Sequence, residues 1–251
     1  MPITKHRRVT IPIEKDAVLW RYMSVDKFEK MLKGKSVFFS RACVNSDKFE
    51  GSLPIREVEE RDINGKRDAF IFEHHKMKLN TVLNCWIINN YESIGMWERY
   101  LEGKDGIVIK SSFDRICNAF KTNDTDIYYS RVRYIDYEED IWYNEAEYPY
   151  DAYNFFTPFV HKRIEYNEEN EFRLFFCANE DSRNVDFWDN QISKDGISIN
   201  IELNELIEKI ILKPKTLKPE TSDFNKVNEL IASYGFDFNV ESSIFDIEAN
   251  Y

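Results

Sequence analysis

Short apolar runs alternate along the chain with segments that have helical periodicity. Strand-like runs are VLWRYMS at 18–24, TVLNCWII at 81–88 and GIVIKS at 106–111, and runs of this length, rich in β-branched and aromatic residues, are typical of strands. Ser24 and Ser93 each precede a segment with apolar residues at helical spacing, as a serine that caps a helix does. This alternation predicts an α+β fold in which helices flank a curved, largely antiparallel sheet.

The composition predicts a single domain. The chain has 251 residues, of which 43% are hydrophobic and 15% aromatic, so it can bury a sizeable core and is unlike a disordered chain. No internal repeat, low-complexity run or proline-rich hinge interrupts the sequence. We therefore expect an N-terminal arm over residues 1–17 and one α+β domain over residues 18–251.

Charge and cysteine content narrow the choice of partners and compartment. The chain carries 45 acidic and 34 basic residues, a net charge of -11, which repels a phosphate backbone and disfavours non-specific nucleic-acid binding. The basic run KHRR at 5–8 is expected to be a solvated tail. The four cysteines show no CxxC spacing and fit reduced thiols, and no apolar stretch resembles a signal peptide or a membrane span. We expect a cytoplasmic protein without a membrane partner.

Common nucleotide and metal motifs are missing from the sequence. Neither GxGxxG nor GxxxxGK[ST] occurs, and GxSxG is absent as well. His74 and His75 are adjacent and point apart on a helix or a strand, and no HExxH motif or thiolate cluster is present. The sequence therefore predicts no metal site.

Three strand-like blocks carry the conspicuous polar residues. Arg21 lies in VLWRYMS, Ser40 in VFFSRA, and Glu169 and Glu171 in ENEFRLFFCA. Strict alternation in the last block places Glu169, Glu171 and Arg173 on one face and apolar residues on the other, which predicts a free polar face. A purely structural interpretation is also open, in which Arg21 forms an ion pair, Ser40 is a strand hydroxyl, and Glu171 bonds to Arg173 or Arg21.

Six ordered blocks resemble a bacterial family catalogued as domain of unknown function 2971, over residues 19–215. They are LWRYMS, FFSRACVNSDKFEG, CWIINNYESIGMWERYLEGKDGIVI, VRYID, KRIEYNEENEFRL and EKIILKP. The second block departs from the N-D-P-F-E form common in the family by an extra residue and a missing proline, which favours a role for Glu50 over one for Asp47. Arg99 stands before Tyr100, where the family often has a histidine.

The resemblance implies an activity, because family members resemble proteins found near phage-defence genes and the R–S–E order is similar to that of ADP-ribosyltransferases. It implies a split two-sheet fold and an NAD-using transferase or NAD-hydrolysing effector, with a role in anti-phage defence or as a toxin. Arg21 would bind the NAD pyrophosphate and Ser40 would fix the nicotinamide ribose. Glu171 would stabilise the cationic sugar, and Glu169 would orient the acceptor.

Further contacts to the substrate are expected from four residues: Trp97, Tyr100, Glu50 and Arg173. Trp97 and Tyr100 are three residues apart in a predicted helix, so they can stack a nicotinamide or adenine ring, or else belong to the core. The acceptor and the oligomeric state are not defined by the sequence.

Two alternatives stay open at this point. A non-catalytic module can bind a nucleotide or a partner protein through the same polar residues. A nuclease or hydrolase can use Asp47, Glu50 and Glu171 around a divalent metal, although these residues lack the spacing of a metal-ligand motif.

Overall fold

The computed structural model describes residues 2–44, 47–63, 67–141, 154–178, 195–217 and 223–248, with the side chains of 60–70, 72 and 73 outside the description. The strands are β1 (Ile3–Lys5), β2 (Val18–Ser24), β3 (Ser36–Arg41), β4 (Thr81–Ile88), β5 (Gly106–Ser112), β6 (Ile127–Arg131), β7 (Arg133–Ile135), β8 (His161–Arg163), β9 (Glu171–Cys177), β10 (Gly196–Asn200), β11 (Lys209–Leu212) and β12 (Val240–Glu241). The helices are α1 (Val25–Gly34), α2 (Ile55–Ile63), α3 (Arg67–Asn80), α4 (Ile94–Leu101), α5 (Phe113–Ala119), α6 (Leu203–Leu206) and α7 (Phe224–Ser233). Short 3-10 helices cover Ala42–Val44, Thr157–Val160, Ile164–Glu169 and Ile244–Asp246.

The strands form one large mixed sheet and one small parallel pair. The large sheet has the order β1-β6-β9-β4-β2-β5-β11-β12, and β3 and β10 branch from β4. Its pairs are antiparallel except β1–β6 and β11–β12, and β7 pairs separately with β8. The predicted α+β class with a largely antiparallel sheet flanked by helices is confirmed.

β4 is the branch point of the sheet. One edge of β4 pairs with β9 over seven residue pairs. The other edge pairs with two strands, with β3 at Val82 and Leu83 and with β2 at Ile87 and Ile88. β2 and β3 therefore diverge along β4 and leave residues 84–86 of that edge open between them. We call this gap the fork.

Both faces of the central strands are covered by packed side chains. One face carries the largest core cluster, which includes Phe28 of α1 and Trp86 of β4. The other face is covered in two places, by Trp97 of α4, which packs against β2, and by Phe159, which packs against β9. Apolar burial of this extent on both faces is the main source of stability in such a domain.

The predicted free polar face of the late strand is wrong. β9 begins at Glu171, whereas Glu169 lies in the preceding 3-10 helix, which Asn170 ends with a left-handed backbone, φ 39°. The exposed fractions of Glu171 and Arg173 are 2% and 0%. Residues 157–169 lie over this face, so its charged groups bond to one another instead of to water.

α1 and α4 begin directly after Ser24 and Ser93, the two serines that the sequence indicated, and α5 begins after Ser112. The Ser24 hydroxyl accepts a hydrogen bond from the backbone N–H of Lys27, and Ser112 accepts one from Arg115. α4 starts after Ser93 as predicted, but without a side-chain cap. The Ser93 backbone N–H donates to the Tyr22 hydroxyl instead, at 2.8 Å, which ties the start of α4 to β2.

The segment expected to be an N-terminal arm contributes to the sheet. β1 pairs in parallel with β6, and the buried side chain of Ile3 belongs to the core. The ring of His6 lies edge-on to Tyr128, with 4.9 Å between centroids, whereas Arg7 and Arg8 are exposed. Only part of the basic run is therefore solvated. No helix within the described ranges has the length and apolar character needed to cross a membrane.

Candidate functional site

Five charged side chains are buried together beside the fork. They are Glu50, Glu169, Glu171, Lys162 and Arg173, and we call them the buried cluster. They come from three places in the chain: the turn at 47–52, the stretch of β8 and the 3-10 helix at 161–169, and β9. Burial of so many charges is unfavourable unless each is paired, so the pairings decide what the cluster can do.

Arg173 connects the parts of the buried cluster. Its Nε and Nη2 donate to the two carboxylate oxygens of Glu171 at 3.0 and 2.9 Å, a bidentate pair. Nη1 donates to the Phe159 carbonyl at 2.8 Å, and Nη2 also forms an ion pair with Glu50. One guanidinium thus holds β9, the turn at 47–52 and the Thr157–Val160 helix in one arrangement.

Glu169 connects the buried cluster to the surface. Its Oε2 accepts from Lys162 Nζ at 2.6 Å and from the Tyr100 hydroxyl at 3.4 Å. Its Oε1 accepts from Arg99 Nη1 at 3.0 Å. Lys162 Nζ also reaches Glu171 at 3.3 Å. Because the side chain of Arg99 is 37% exposed and Tyr100 is 40% exposed, Glu169 is the carboxylate of the cluster with solvent-facing partners.

The pKa values follow from this pairing. Burial alone would raise the pKa of Glu171, but Arg173 and Lys162 outweigh it and lower the pKa to about 2. For Glu50 burial prevails over Arg173, so its pKa is raised. Burial opposes the charge of Lys162, yet the carboxylates of Glu171 and Glu50 raise its pKa above the usual value. Glu171 is therefore firmly ionised and Lys162 firmly protonated.

Three cationic side chains lie around the ring of Tyr166, next to the buried cluster. The centroid of the Tyr166 ring is 4.9 Å from Lys162 Nζ, 5.2 Å from Arg163 Cζ and 5.6 Å from Arg99 Cζ. Arg163 Nη2 also donates to the Tyr166 hydroxyl at 3.2 Å. We call Arg99, Tyr100, Arg163 and Tyr166 the rim. It combines exposed guanidinium groups with aromatic rings.

The turn at 47–52 closes one side of the rim. Asp47 accepts from Arg163, with Oδ1 at 3.1 Å from Nη2 and Oδ2 at 3.3 Å from Nε, and Asp47 Oδ1 also accepts from the backbone N–H of Phe49 at 3.1 Å. Gly51 has a φ of +69°, and a Cβ added there would lie 2.8 Å from Cε1 of Phe159. The turn is thus packed tightly on the core.

Arg21 lies in the fork. Its Nη2 donates to the Phe38 carbonyl at 3.1 Å, and Asn84 Nδ2 donates to the same carbonyl at 2.9 Å. Arg21 Cζ lies 5.7 Å from the centroid of the Trp86 ring. Burial lowers the pKa of Arg21 to about 10, partly offset by Cys85, so the guanidinium still carries its charge near neutral pH. Its hydrogen bond to the Phe38 carbonyl joins β2 to β3 across the gap.

Arg21, Ser40 and Glu171 are not bonded to one another, although Arg21 and Glu171 both lie near Cys85 and Tyr100. The register places Trp20 opposite Ile87 and Ile87 opposite Glu171, so alternation directs Arg21 to the other face of the sheet. Ser40 shares the face of Glu171 but pairs with Leu83, four residues or about 13 Å along β4 from Ile87. Within the described ranges no hydrogen bond or ion pair joins any two of the three. The Ser40 hydroxyl donates to the Leu83 carbonyl at 3.4 Å.

Trp97 and Tyr100 have different environments, although the sequence suggested a ligand-stacking pair. Trp97 is fully buried, packs edge-on against Tyr22 and donates its Nε1 to Glu92 at 2.9 Å. Its ring is part of the core and has no exposed face for a substrate ring in this structure. Tyr100 lies on the exposed side of α4 and bonds to Glu169. Its hydroxyl and ring belong to the rim.

Four contributors to the site were missed as site residues by the sequence-based reasoning: Lys162, Arg163, Tyr166 and Tyr134. Tyr134 accepts a hydrogen bond from the backbone N–H of Glu171 at 2.8 Å. A signal for two of them existed, since Lys162 and Arg163 come shortly before Glu169 and Glu171 in the block KRIEYNEENEFRL. Two buried carboxylates require nearby cations. Because the strand face was predicted to be exposed, no such cations were expected beside it.

The carboxylates proposed as metal ligands are engaged by cations. Asp47 bonds to Arg163, and Glu50 and Glu171 bond to Arg173. Among the residues that the structure describes, no group of three or more His, Cys, Asp or Glu side chains is arranged to hold a metal ion.

Comparisons with protein-family models, with curated proteins and with solved structures found no match for this chain. The resemblance to the bacterial family and the distant similarity to ADP-ribosyltransferases therefore remain predictions from the sequence motifs.

Proposed function

We propose that this is a cytoplasmic nucleotide-binding protein whose ligand, NAD, binds at the rim. One observation carries the proposal. Three cationic groups lie around the Tyr166 ring, and two of them, Arg99 and Lys162, bond to the buried Glu169 carboxylate, which also accepts from Tyr100.

The chemistry of the rim suits the parts of a dinucleotide. Guanidinium groups bind phosphate through paired donors, and Arg99 and Arg163 each keep exposed surface. Tyrosine rings stack on a base or on nicotinamide. The Glu169 carboxylate below them can accept a hydrogen bond from a ribose hydroxyl, the kind of contact that fixes a sugar in a site.

The catalytic form of this proposal is cleavage of the bond between nicotinamide and ribose. Nicotinamide leaves with the electron pair of the C–N bond, and water or an acceptor nucleophile forms the new bond to the same carbon and gives up a proton. Hydrolysis then releases ADP-ribose, and transfer modifies the acceptor. An enzyme of this kind acts as an anti-phage effector or a toxin, and the split-sheet fold of ADP-ribosyltransferases belongs to the same proposal.

Glu169, rather than Glu171, is the residue we assign to stabilise the cationic sugar. The Glu171 carboxylate bonds to Arg173 and Lys162, which are both buried. Glu169 is buried and bonds to Lys162 as well, but it also has two exposed partners, Arg99 and Tyr100. A carboxylate acts on developing positive charge only when it reaches the reacting sugar. Glu171 keeps a positioning role through Lys162.

A binding experiment tests the common part of the proposal. NAD is titrated by calorimetry against the wild type, Arg99→Ala and Arg163→Ala, with Arg7→Ala as the control because Arg7 is exposed and outside the rim. Loss of a charge-assisted phosphate contact weakens binding by about tenfold or more. We expect this loss in both rim variants and not in Arg7→Ala. Absence of NAD binding by the wild type contradicts the proposal.

A turnover experiment tests the catalytic form. Release of nicotinamide from NAD is followed by chromatography for the wild type, Glu169→Gln and Glu98→Gln, an exposed neighbour on α4. Glu169→Gln should lower kcat by about a hundredfold or more with a smaller change in KM, because the carboxylate acts in the transition state. Equal rates for Glu169→Gln and the wild type rule out this role.

Binding without turnover is the second candidate function. It is favoured by the pairing of each carboxylate of the buried cluster with at least one cation, which is how a rigid recognition site is built. NAD binding that depends on Arg99 and Arg163, without release of nicotinamide under any condition tried, would identify the protein as a nucleotide sensor.

A further inference from the structure

Arg163 has two roles that compete. Its guanidinium lies over the Tyr166 ring at the rim, and the same guanidinium forms an ion pair with Asp47 through two nitrogens. The side chain of Arg163 is 32% exposed, whereas that of Asp47 is 4% exposed. The cation is thus accessible to a dissolved anion, and its present partner is not.

We infer that Asp47 is an internal competitor for Arg163, so that a phosphate bound at the rim takes donors away from the Asp47 carboxylate. This inference rests on the proposed binding of a nucleotide and concerns how the same site is restrained. A phosphate that bonds to Arg163 leaves Asp47 buried with less compensation for its charge. Asp47 therefore lowers the affinity of the rim for anionic ligands.

The hydrogen bonds of the turn allow a substitution that removes the charge of Asp47 and keeps the turn. Asp47 Oδ1 accepts the backbone N–H of Phe49, and an asparagine at this position keeps that oxygen while it loses the negative charge. The neighbouring Glu50 remains paired with Arg173. Asp47→Asn should therefore preserve the turn and remove only the competition for Arg163.

The test measures dissociation constants of ADP and of inorganic pyrophosphate for the wild type, Asp47→Asn, Arg163→Met and the double variant. Asp124→Asn is the control, because it makes the same change in net charge in an exposed loop. Asp47→Asn should bind both probes about three- to tenfold more tightly, as expected when one competing ion pair is removed. The effect should vanish in the Arg163→Met background. Thermal unfolding confirms that each variant is folded.

The possible outcomes separate this inference from the proposed function. Tighter binding by Asp47→Asn that requires Arg163 supports competition. Unchanged or weaker binding by Asp47→Asn overturns it while nucleotide binding stands, and so does equal tightening in Asp124→Asn or in the Arg163→Met background. If neither ADP, pyrophosphate nor NAD binds any of the proteins, the proposed function fails and the inference fails with it.

Discussion

At the residue scale, Arg173 is the most consequential side chain of the site. It is fully buried and bonds to Glu171, Glu50 and the Phe159 carbonyl. A buried cation adds little net stability through attraction to its partners. Its removal is costly, because the charges of those partners are then buried without compensation. The Arg173 guanidinium therefore determines whether Glu50 and Glu171 can stay buried as anions.

Replacement of Arg173 by Met should reduce the free energy of unfolding by about 3–5 kcal/mol, because two buried carboxylates lose their shared cation. Urea denaturation measures the change. Arg56→Met is the matched control, since Arg56 pairs with Glu139 at the surface, and it should cost less than about 1 kcal/mol. Adding Glu171→Gln to Arg173→Met should recover part of the loss. Equal effects of Arg173→Met and Arg56→Met would contradict this account of the buried cluster.

The depressed pKa of Glu171 predicts a pH-dependent difference in stability. Its folded value of about 2 lies below the ordinary 4.5, so the ionised group stabilises the fold above pH 4.5 and this contribution is lost as the pH falls towards 2. Glu171→Gln should be less stable than the wild type at pH 7, and the gap should narrow between pH 4.5 and 2. Glu171 contributes to the raised pKa of Glu50, so that rise is smaller in Glu171→Gln. A raised pKa changes stability above pH 4.5, which is outside the range compared here.

Urea titrations at several pH values measure this difference. Glu229→Gln, at an exposed position of α7, is the control and should show no such narrowing. A constant gap between the wild type and Glu171→Gln down to pH 2 would show that Glu171 is not held ionised by its neighbours.

At the element scale, the sequence predicted the units that depend on local periodicity. α1 and α4 begin directly after Ser24 and Ser93, and β4 covers the whole of TVLNCWII. The fork was not predictable in this way, because it arises from the pairing of β2 and β3 with one edge of β4, and pairing between distant strands leaves no local pattern. The position of Arg21 depends on the same strand pairing, so local periodicity could not predict it either.

The start of β9 shows a second limit of periodicity. Glu169 and Glu171 have the spacing of one strand face, but Asn170 turns the chain between them. Alternation also cannot tell a solvent-facing polar side from one that other segments cover. Buried charge pairs such as Lys162 with Glu169 look like surface residues in the sequence. The sequence therefore pointed to Glu169, Glu171 and Arg173 but not to their burial or to their partner Lys162.

The turn at 47–52 gives a test at this scale. Gly51→Ala should destabilise the protein by about 1 kcal/mol more than Gly103→Ala. Both glycines have positive φ, +69° and +81°, but an added Cβ meets the Phe159 ring at 2.8 Å only in the first case, with nothing within 4 Å in the second. Thermal unfolding of the two variants measures the difference. Equal losses would mean that the turn does not pack on Phe159.

For the whole molecule, the charge distribution favours a small ligand over a large polyanion. The net charge of -11 disfavours non-specific binding of nucleic acid, while Arg99, Arg163 and Lys162 place their donors around Tyr166, each paired with a carboxylate of Asp47, Glu169 or Glu171. In our proposal these donors bind a small ligand with few phosphates, which displaces part of that pairing. Both candidate functions, NAD cleavage and NAD sensing, depend on this site.

A crystal structure of the protein with bound NAD tests the central claim most directly. We expect phosphate oxygens within hydrogen-bonding distance of Arg99 or Arg163, an aromatic group of the ligand against Tyr166 or Tyr100, and a ribose hydroxyl near Glu169. Ligand density at another surface, or none at NAD concentrations far above those that saturate known NAD-binding proteins, would contradict the claim that the rim is a nucleotide site.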